Sequence, residues 1–251
     1  MDGIDAIYIT HWPPLTDRKM YMTTRLQELN LLDKTIFMEK WNKNCETDQI
    51  EKNKYYKYNN FDGWKAKYCQ YKGCSEYWNM QEWNFHNLCD AAIFNYLNHL
   101  ECYKDIVINK YKNALILEDD CILKDNFHII GDVIQQKVDN NLEDGLIYFG
   151  NFMHHKLKGG EPHNVTSFKK VSKNLILTNE SNVADSYMLS AAIANKILNS
   201  NTFPILQPID HDMNFWFKSF EIKSYWCVPH LTEHGSLFKY ISTDKSNVAA
   251  P

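Results

Sequence analysis

Three carboxylates stand in a row at Glu118-Asp119-Asp120, directly after the apolar run Ala114-Leu115-Ile116-Leu117. The run is short, apolar and preceded by Asn113, and it reads as a buried strand. Carboxylates crowded at a strand end repel one another, and a bound cation relieves that repulsion. In α/β folds ligands gather at the carboxyl ends of strands. A divalent cation bridging a nucleotide diphosphate accounts for both the charge and its position, and oxygen ligands suit Mn²⁺ or Mg²⁺. Residues two apart in a strand-end turn can converge on one ion, which assigns Glu118 and Asp120 to the metal and points Asp119 elsewhere. The alternative is an exposed acidic turn that caps the following segment. Neither GxGxxG nor GxxxxGKS/T occurs, so phosphates are not held by a Rossmann fingerprint or a P-loop.

A second constellation is Ile209-Asp210-His211-Asp212. Asp210 is placed to cap the helix that follows, where free N–H groups and the dipole stabilise a carboxylate. The functional alternative is a general base that deprotonates an acceptor hydroxyl. The dipole would lower its pKa and leave it acting mainly by position. His234, in Glu233-His234-Gly235-Ser236, can turn back to a site through the flexible Gly235 and serve as a third Mn²⁺ ligand; the alternative is an ordinary loop histidine. Arg18, one of only two arginines, follows a strand end and a Pro-Pro turn. Its fork suits a phosphate or a uracil carbonyl, or else it is a solvated charge at a helix start. His211, Asp212, His230 and His234 also offer the residue types of a two-metal phosphohydrolase, although His99, His154 and His155 do not complete a convincing set.

The elements that must position these groups alternate. Residues 4–10 read as a strand, 16–29 as a helix started by Thr16, and 34–39 as a second strand, together a βαβ unit. Residues 41–84, rich in Lys, Asn, Tyr and Trp, break the pattern and read as an irregular insertion; Trp64, Trp78 and Trp83 there suit either an acceptor platform or internal packing. A long helix over 86–108 follows, with Ile93, Leu97, Leu100, Tyr103 and Val107 on its buried stripe and Asn95, Asn98, His99 and Cys102 on another face. Beyond the carboxylates come a helix near 126–138 capped by Asp125, a strand at 145–149, extended segments at 174–178 and 186–190, a helix capped by Ser190, a helix near 210–220 and a last strand near 222–228. Strands alternating with helices mean an α/β fold.

The 251 residues suffice for one large α/β domain or two small ones, and 44% hydrophobic residues provide a sizeable core. A net charge of -4 argues against a nucleic-acid partner. Aromatics reach 14%, with 15 Tyr and 7 Trp, which fits a carbohydrate or nucleobase site, or a compositional bias towards Asn, Lys, Ile and Tyr. No apolar run approaches the roughly 20 residues of a membrane span. The acidic start Met1-Asp2-Gly3-Ile4-Asp5 resembles neither a signal nor a transit peptide. With seven irregularly spaced cysteines, this predicts free thiols and a cytoplasmic location, in a bacterium or a virus-infected host. Cys69, Cys74, His86 and Cys89 do not match a common zinc spacing.

Taken in order, these pieces resemble the family 25 glycosyltransferases, which include lipooligosaccharide and collagen galactosyltransferases. The matching segments are IYIT…DRK at 7–19, LNHLECYKDI at 97–106, LILEDDCIL at 115–123, IYFGN at 147–151, ADSYMLSAAIANKIL at 184–198, PIDHDMNFWF at 208–217 and VPHLTEHGS at 228–236. Asn98 stands where the family usually has Ser before His99. The resemblance implies a GT-A fold: one Rossmann-like αβα sandwich with a mixed, mostly parallel sheet, spanning 1–251 with the insertion at 41–84. It implies an inverting hexosyltransferase that takes galactose or glucose from a UDP-sugar to a hydroxyl of a glycan, glycoprotein or glycolipid. By position it implies a metal (Mn²⁺ or Mg²⁺) on Glu118, Asp120 and His234, and donor contacts at Thr10, Arg18, Asn98, His99, Asp119 and Asn151. Asp119 would face the ribose or sugar, Asp210 would be the base, and Asp212 the reserve. A phosphohydrolase, or an inactive sugar-binding protein on the same fold, are the competing readings.

Overall fold

The computed structural model describes residues 3–56, 88–143, 145–150, 168–178, 183–200 and 203–235. Trp64, Trp78, Trp83, Cys69, Cys74, His86, Asn151, His154 and His155 lie outside them. The strands are β1 (Ala6–Thr10), β2 (Thr35–Met38), β3 (Ala114–Glu118), β4 (Cys121–Leu123), β5 (Gly145–Tyr148), β6 (Leu175–Thr178), β7 (Ser186–Leu189), β8 (Lys223–Cys227) and β9 (Thr232–His234). The helices are α1 (Thr16–Glu28), α2 (Glu46–Glu51), α3 (Asp90–Asn109), α4 (Ile130–Asp139), α5 (Ala191–Leu198) and α6 (Ile209–Ser219).

Side-chain alternation along the strands sets the layers. In β1, Ile7 and Ile9 enter one apolar layer and Ala6 and Tyr8 the other; in β3, Leu115 and Leu117 oppose Ala114 and Ile116; in β7, Met188 opposes Tyr187 and Leu189. Helices α3, α5 and α6 cover the Tyr8–Ile116–Tyr187 face through Leu97, Leu100, Ile193, Ile197, Met213 and Trp216. Helices α1 and α4 cover the other face through Met22, Leu26, Val133 and Ile134. Strands buried on both faces read as near-continuous apolar runs, which is why β1 and β3 stood out in the sequence.

The main sheet has seven strands in the order β2-β1-β3-β7-β5-β8-β6. Pairs β1–β2, β1–β3 and β5–β8 are parallel, whereas β7 runs against both β3 and β5, and β6 runs against β8. The sheet is therefore mixed, with most strands pointing one way, as in Rossmann-like α/β folds. The reversal at β7 brings its amino end beside the carboxyl ends of β1, β3 and β5. A separate two-stranded ladder joins β4 to β9, with Cys121 opposite His234.

Several expected caps moved. Thr16 is the first helical residue of α1, and Leu15 occupies the cap without a side-chain bond. Asp125 opens a 3₁₀ segment (Asp125–Ile129) that leads into α4. Helix α6 starts at Ile209 behind Pro208, so Asp210 sits inside its first turn. Ser190 does cap α5, accepting from the Ile193 N–H at 3.4 Å. Helix α3 is buried on its polar face as well, at Asn98, His99 and Cys102, where Asn98 bonds the main chain of Trp41 and His99 the Tyr187 hydroxyl. Residues 41–56 of the expected insertion carry α2 and a 3₁₀ turn, and Tyr56 bridges to Ile205. The described cysteines 45, 89, 102, 121 and 227 are free. No described helix is long and apolar enough to cross a membrane.

Candidate active site

The carboxylate triplet divides between two tasks. Asp119 turns back under β1. Its Oδ1 accepts from Arg18 Nη1 at 2.7 Å, and its Oδ2 lies 2.8 Å from His11 Nδ1 and 3.3 Å from the Trp12 N–H. Arg18 reaches it because positions 18, 22 and 26 form the buried stripe of α1, with the guanidinium at the strand-end side. Arg18 Nη1 also lies 4.0 Å from Asp120 Oδ2.

Glu118 and Asp120 meet His234, with Asp120 Oδ2 standing between the Arg18 guanidinium and the imidazole. Potential ligand atoms of these three residues lie within 4.8 Å of one another, the one such cluster among the described residues. His234 arrives through the β4–β9 ladder, fastened by the Gly235 N–H donating to the Asp120 carbonyl at 2.7 Å, and its Nδ1 is 3.3 Å from Asp120 Oδ2. Two carboxylates and an imidazole form a mixed oxygen and nitrogen donor set that fits Mn²⁺ and, with retained waters, Mg²⁺.

Helix α3 supports the cluster from below. Asn95 Nδ2 donates to Glu118 Oε1 at 2.7 Å, and His99 Nε2 lies 3.5 Å from the same oxygen. His99 Nδ1 is 2.7 Å from the Tyr187 hydroxyl, itself 2.6 Å from the Tyr103 hydroxyl, so a buried polar chain runs from the core to Glu118. Burial pushes the Glu118 carboxyl up, but His99, His234 and Asn95 together bring it below its ordinary value. Burial works against a charged His234, yet Asp120, Glu118 and Asp185 hold its pKa above the ordinary one.

Two cavities adjoin at Ala92, Asn95 and Glu118. The larger, about 290 Å³, is lined by Thr10, Trp12, Arg18, Trp41, Lys43, Asn98 and the triplet among others. Lys43 Nζ sits 3.6 Å from the Trp12 ring centroid. Asn98 shapes the wall by a two-way bond with the main chain of Trp41, at 2.9 and 3.1 Å. The smaller cavity, about 180 Å³, is lined by Glu118, Asp185, Pro208, Asp210 and His234 among others.

Asp210 thus opens towards the cluster. Its pKa is raised, not lowered as the helix position alone predicts: burial is the largest cause, and Glu118 adds to it against the opposing charge of His211. Asp212 is turned inward, fully buried, and accepts from the Tyr96 hydroxyl at 2.5 Å and Gln207 Nε2 at 2.7 Å. His230 is paired with Lys124 at 2.9 Å and lies 3.4 Å from Glu233.

His11, Asn95 and Asp185, like the cavity residues Trp12, Trp41 and Lys43, carried no sequence assignment. Asp185 had a signal of its own, a carboxylate directly before an apolar strand, the mirror image of Glu118 directly ending one. Only the antiparallel β3–β7 pairing brings both to one edge, and spacing along the chain does not reveal that pairing. Burial pushes the Asp185 carboxyl up to about 7, with Glu118 and Asp120 adding to it and His234 opposing.

The Rossmann-like α/β fold places an acid–imidazole cluster at its strand ends, beside two adjoining cavities, at the edge where such folds take their ligands. The family model for glycosyltransferase family 25, described as LPS biosynthesis protein, matches residues 6–213. The chain belongs to that family and is a glycosyltransferase. The match takes in the lining residues of the larger cavity and those of the smaller except His234. No curated protein matches the chain significantly.

Proposed function

We propose that the chain is a metal-dependent, inverting hexosyltransferase that moves galactose or glucose from a UDP-sugar to a hydroxyl of a glycan, glycoprotein or glycolipid. The observation that carries this reading is the convergence of Glu118, Asp120 and His234 at the junction of two cavities. The larger cavity suits the nucleotide: Trp12 and Trp41 offer aromatic surface, Lys43 a positive charge, and Thr10 a buried hydroxyl with no partner among the described residues. The smaller suits the acceptor, with Asp210 in its wall.

Glu118, Asp120 and His234 would hold the ion, and a divalent ion there supplies positive charge against the leaving diphosphate. Asn95 and His99 fix the Glu118 carboxylate. Asp119, engaged by Arg18 and His11, fixes the turn. Asp210 takes the proton of the acceptor hydroxyl as that oxygen bonds to the anomeric carbon and the sugar–phosphate bond breaks. A pKa above the ordinary carboxylate value makes it a better base than an exposed aspartate. With Asp210 serving as base rather than nucleophile, the acceptor oxygen displaces the diphosphate in a single step, which inverts the anomeric carbon. A phosphohydrolase finds less support, since the described residues offer ligands for one ion and His230 is tied to Lys124 and Glu233.

A thermal-shift screen of UDP-sugars with Mn²⁺ tests the reading, because a ligand that binds only the folded state raises its melting temperature. One UDP-sugar should stabilise the protein in a Mn²⁺-dependent manner, and Asp120→Ala should abolish the shift. Indifference to every UDP-sugar, with and without Mn²⁺, would overturn this donor and metal reading.

A further inference from the structure

Asp185 has no task in the mechanism above, yet the fold goes to some length to place it. The residue is 2% exposed, and its Oδ1 is buried with no hydrogen-bond partner among the described residues. Its main-chain carbonyl accepts from the Glu118 N–H at 2.8 Å and from the Cys121 thiol at 2.6 Å, which stitches it to the turn bearing Glu118 and Asp120. On the other side Gly150 makes room for it: a Cβ at that position would lie 2.6 Å from Asp185 Oδ1 and 2.8 Å from Oδ2. The carboxyl lines the smaller cavity together with Glu118, Asp210 and His234. No Lys, Arg or His among the described residues pairs with it. A buried carboxylate left with an unused oxygen and acidic neighbours is a standing cost to the metal-free fold, and a cation nearby offsets it.

Asp185 is outside the trio whose ligand atoms come within 4.8 Å of one another, so it does not complete the inner ligand set. Mn²⁺ and Mg²⁺ held by a few protein groups keep part of their water shell, and those waters need acceptors. We propose that Asp185 is the third carboxylate of the ion site, acting at one water's remove: its unused oxygen accepts a hydrogen bond from a water carried by the ion, and its charge strengthens ion binding. This rests on the metal reading given under Proposed function.

The test is equilibrium binding of Mn²⁺ alone to the full chain, followed by the loss of the free-ion paramagnetic resonance signal, with circular dichroism and melting temperature recorded for each variant. Asp185→Asn keeps the shape and removes the charge. Gly150→Ala keeps the charge and pushes the carboxyl aside. Each should weaken Mn²⁺ binding by roughly 10- to 100-fold, as loss of partners behind metal ligands does, while metal-free Asp185→Asn melts at or above the wild-type temperature. Asp120→Ala separates the two levels of the argument. If wild type binds, Asp120→Ala does not, and both Asp185→Asn and Gly150→Ala bind as tightly as wild type, this inference fails and the metal reading stands. If Asp185→Asn lowers the melting temperature and leaves Mn²⁺ affinity unchanged, Asp185 is a structural carboxylate and the inference again fails. If wild type binds no Mn²⁺, the metal reading falls first.

Discussion

Arg18 and Asp119 form a buried ion pair whose rupture has a predictable cost. Their contact is 2.7 Å, with Arg18 5% and Asp119 7% exposed, so solvent screens it little. Arg18→Met keeps an unbranched stem in the α1 stripe beside Met22 and Leu26 and deletes only the guanidinium. Asp119 then retains His11 at 2.8 Å and the Trp12 N–H at 3.3 Å. Breaking a buried pair from one side costs about 3–5 kcal/mol, and the two surviving partners place this case at the lower end, about 3 kcal/mol. For a chain of this size each 1 kcal/mol shifts the melting temperature by roughly 2–4 °C, so Arg18→Met should melt about 6–12 °C below wild type. Asp119→Asn should cost a similar amount. The double variant should fall short of the sum by about 2 kcal/mol, because the second change no longer breaks an intact pair. Urea unfolding of the four proteins measures all of this. An Arg18→Met variant within about 1 kcal/mol of wild type, with a coupling below about 0.5 kcal/mol, would mean that Asp119 is not anchored by Arg18 and that the guanidinium is available to the donor phosphates.

Other consequences are as direct. Asp210→Asn should lower kcat by about 10²- to 10⁴-fold, the usual worth of a general base, with the KM for UDP-sugar nearly unchanged; retention of kcat would remove Asp210 from proton transfer. Because the Asp210 pKa is raised, the acid limb of the transfer rate should lie above the roughly 3.9 of a free aspartate, activity falling as pH drops through it; a limb at or below that value contradicts the burial argument. Asp185 has its folded pKa raised to about 7, so the folded state binds its proton more tightly than the unfolded one. The stability this brings is fully present below about pH 4 and is lost as pH rises towards 7. Metal-free Asp185→Asn should therefore gain more over wild type at pH 8 than at pH 5, and an equal gain at both would refute the shift. Tyr187→Phe leaves His99 Nδ1 and the Tyr103 hydroxyl without their shared partner and should cost about 1–3 kcal/mol, read by urea unfolding; a neutral substitution would show that the hydrogen-bonded chain behind Glu118 adds nothing to stability.

The strands buried on both faces were legible because β1 and β3 are continuous apolar runs, and α1 and α6 because Met22 and Leu26, or Met213 and Trp216, recur at helical spacing. Caps were less legible. Thr16, Asp125 and Asp210 have the right chemistry, but Pro208 and Leu15 took cap positions because chain direction at a helix start is set by the preceding turn. The ladder of β4 and β9 was invisible: three residues carry no periodicity, and pairing Cys121 with His234 depends on the whole intervening sheet. Residue type, the turn permitted by Gly235 and the family resemblance all point to His234, but the ladder that carries it to Asp120 is a product of tertiary structure. The reversed pKa of Asp210 had a similar origin, since the helix end is local and readable whereas the burial and the Glu118 charge that outweigh it are products of tertiary structure.

The middle residue of the triplet explains how its neighbours can be so close. Unanchored, three adjacent carboxylates would splay towards water to relieve their repulsion. Here Asp119 is drawn under β1 by Arg18 and His11, and its N–H donates to the Thr10 carbonyl at 3.1 Å, tying the turn to the end of β1. With the backbone fixed at 119, the side chains at 118 and 120 have one common side to occupy, and His99 with Asn95 below and His234 above hold them there. Much of the ordering that ion binding would otherwise require is thus completed in folding, which is how preorganised electrostatic sites gain their strength. By the same logic Arg18 acts on the proposed ion site from outside it. A change there should reach the ion through Asp119 even though Arg18 touches neither Glu118 nor His234 as a ligand, and Mn²⁺ affinity in Arg18→Met should fall together with stability.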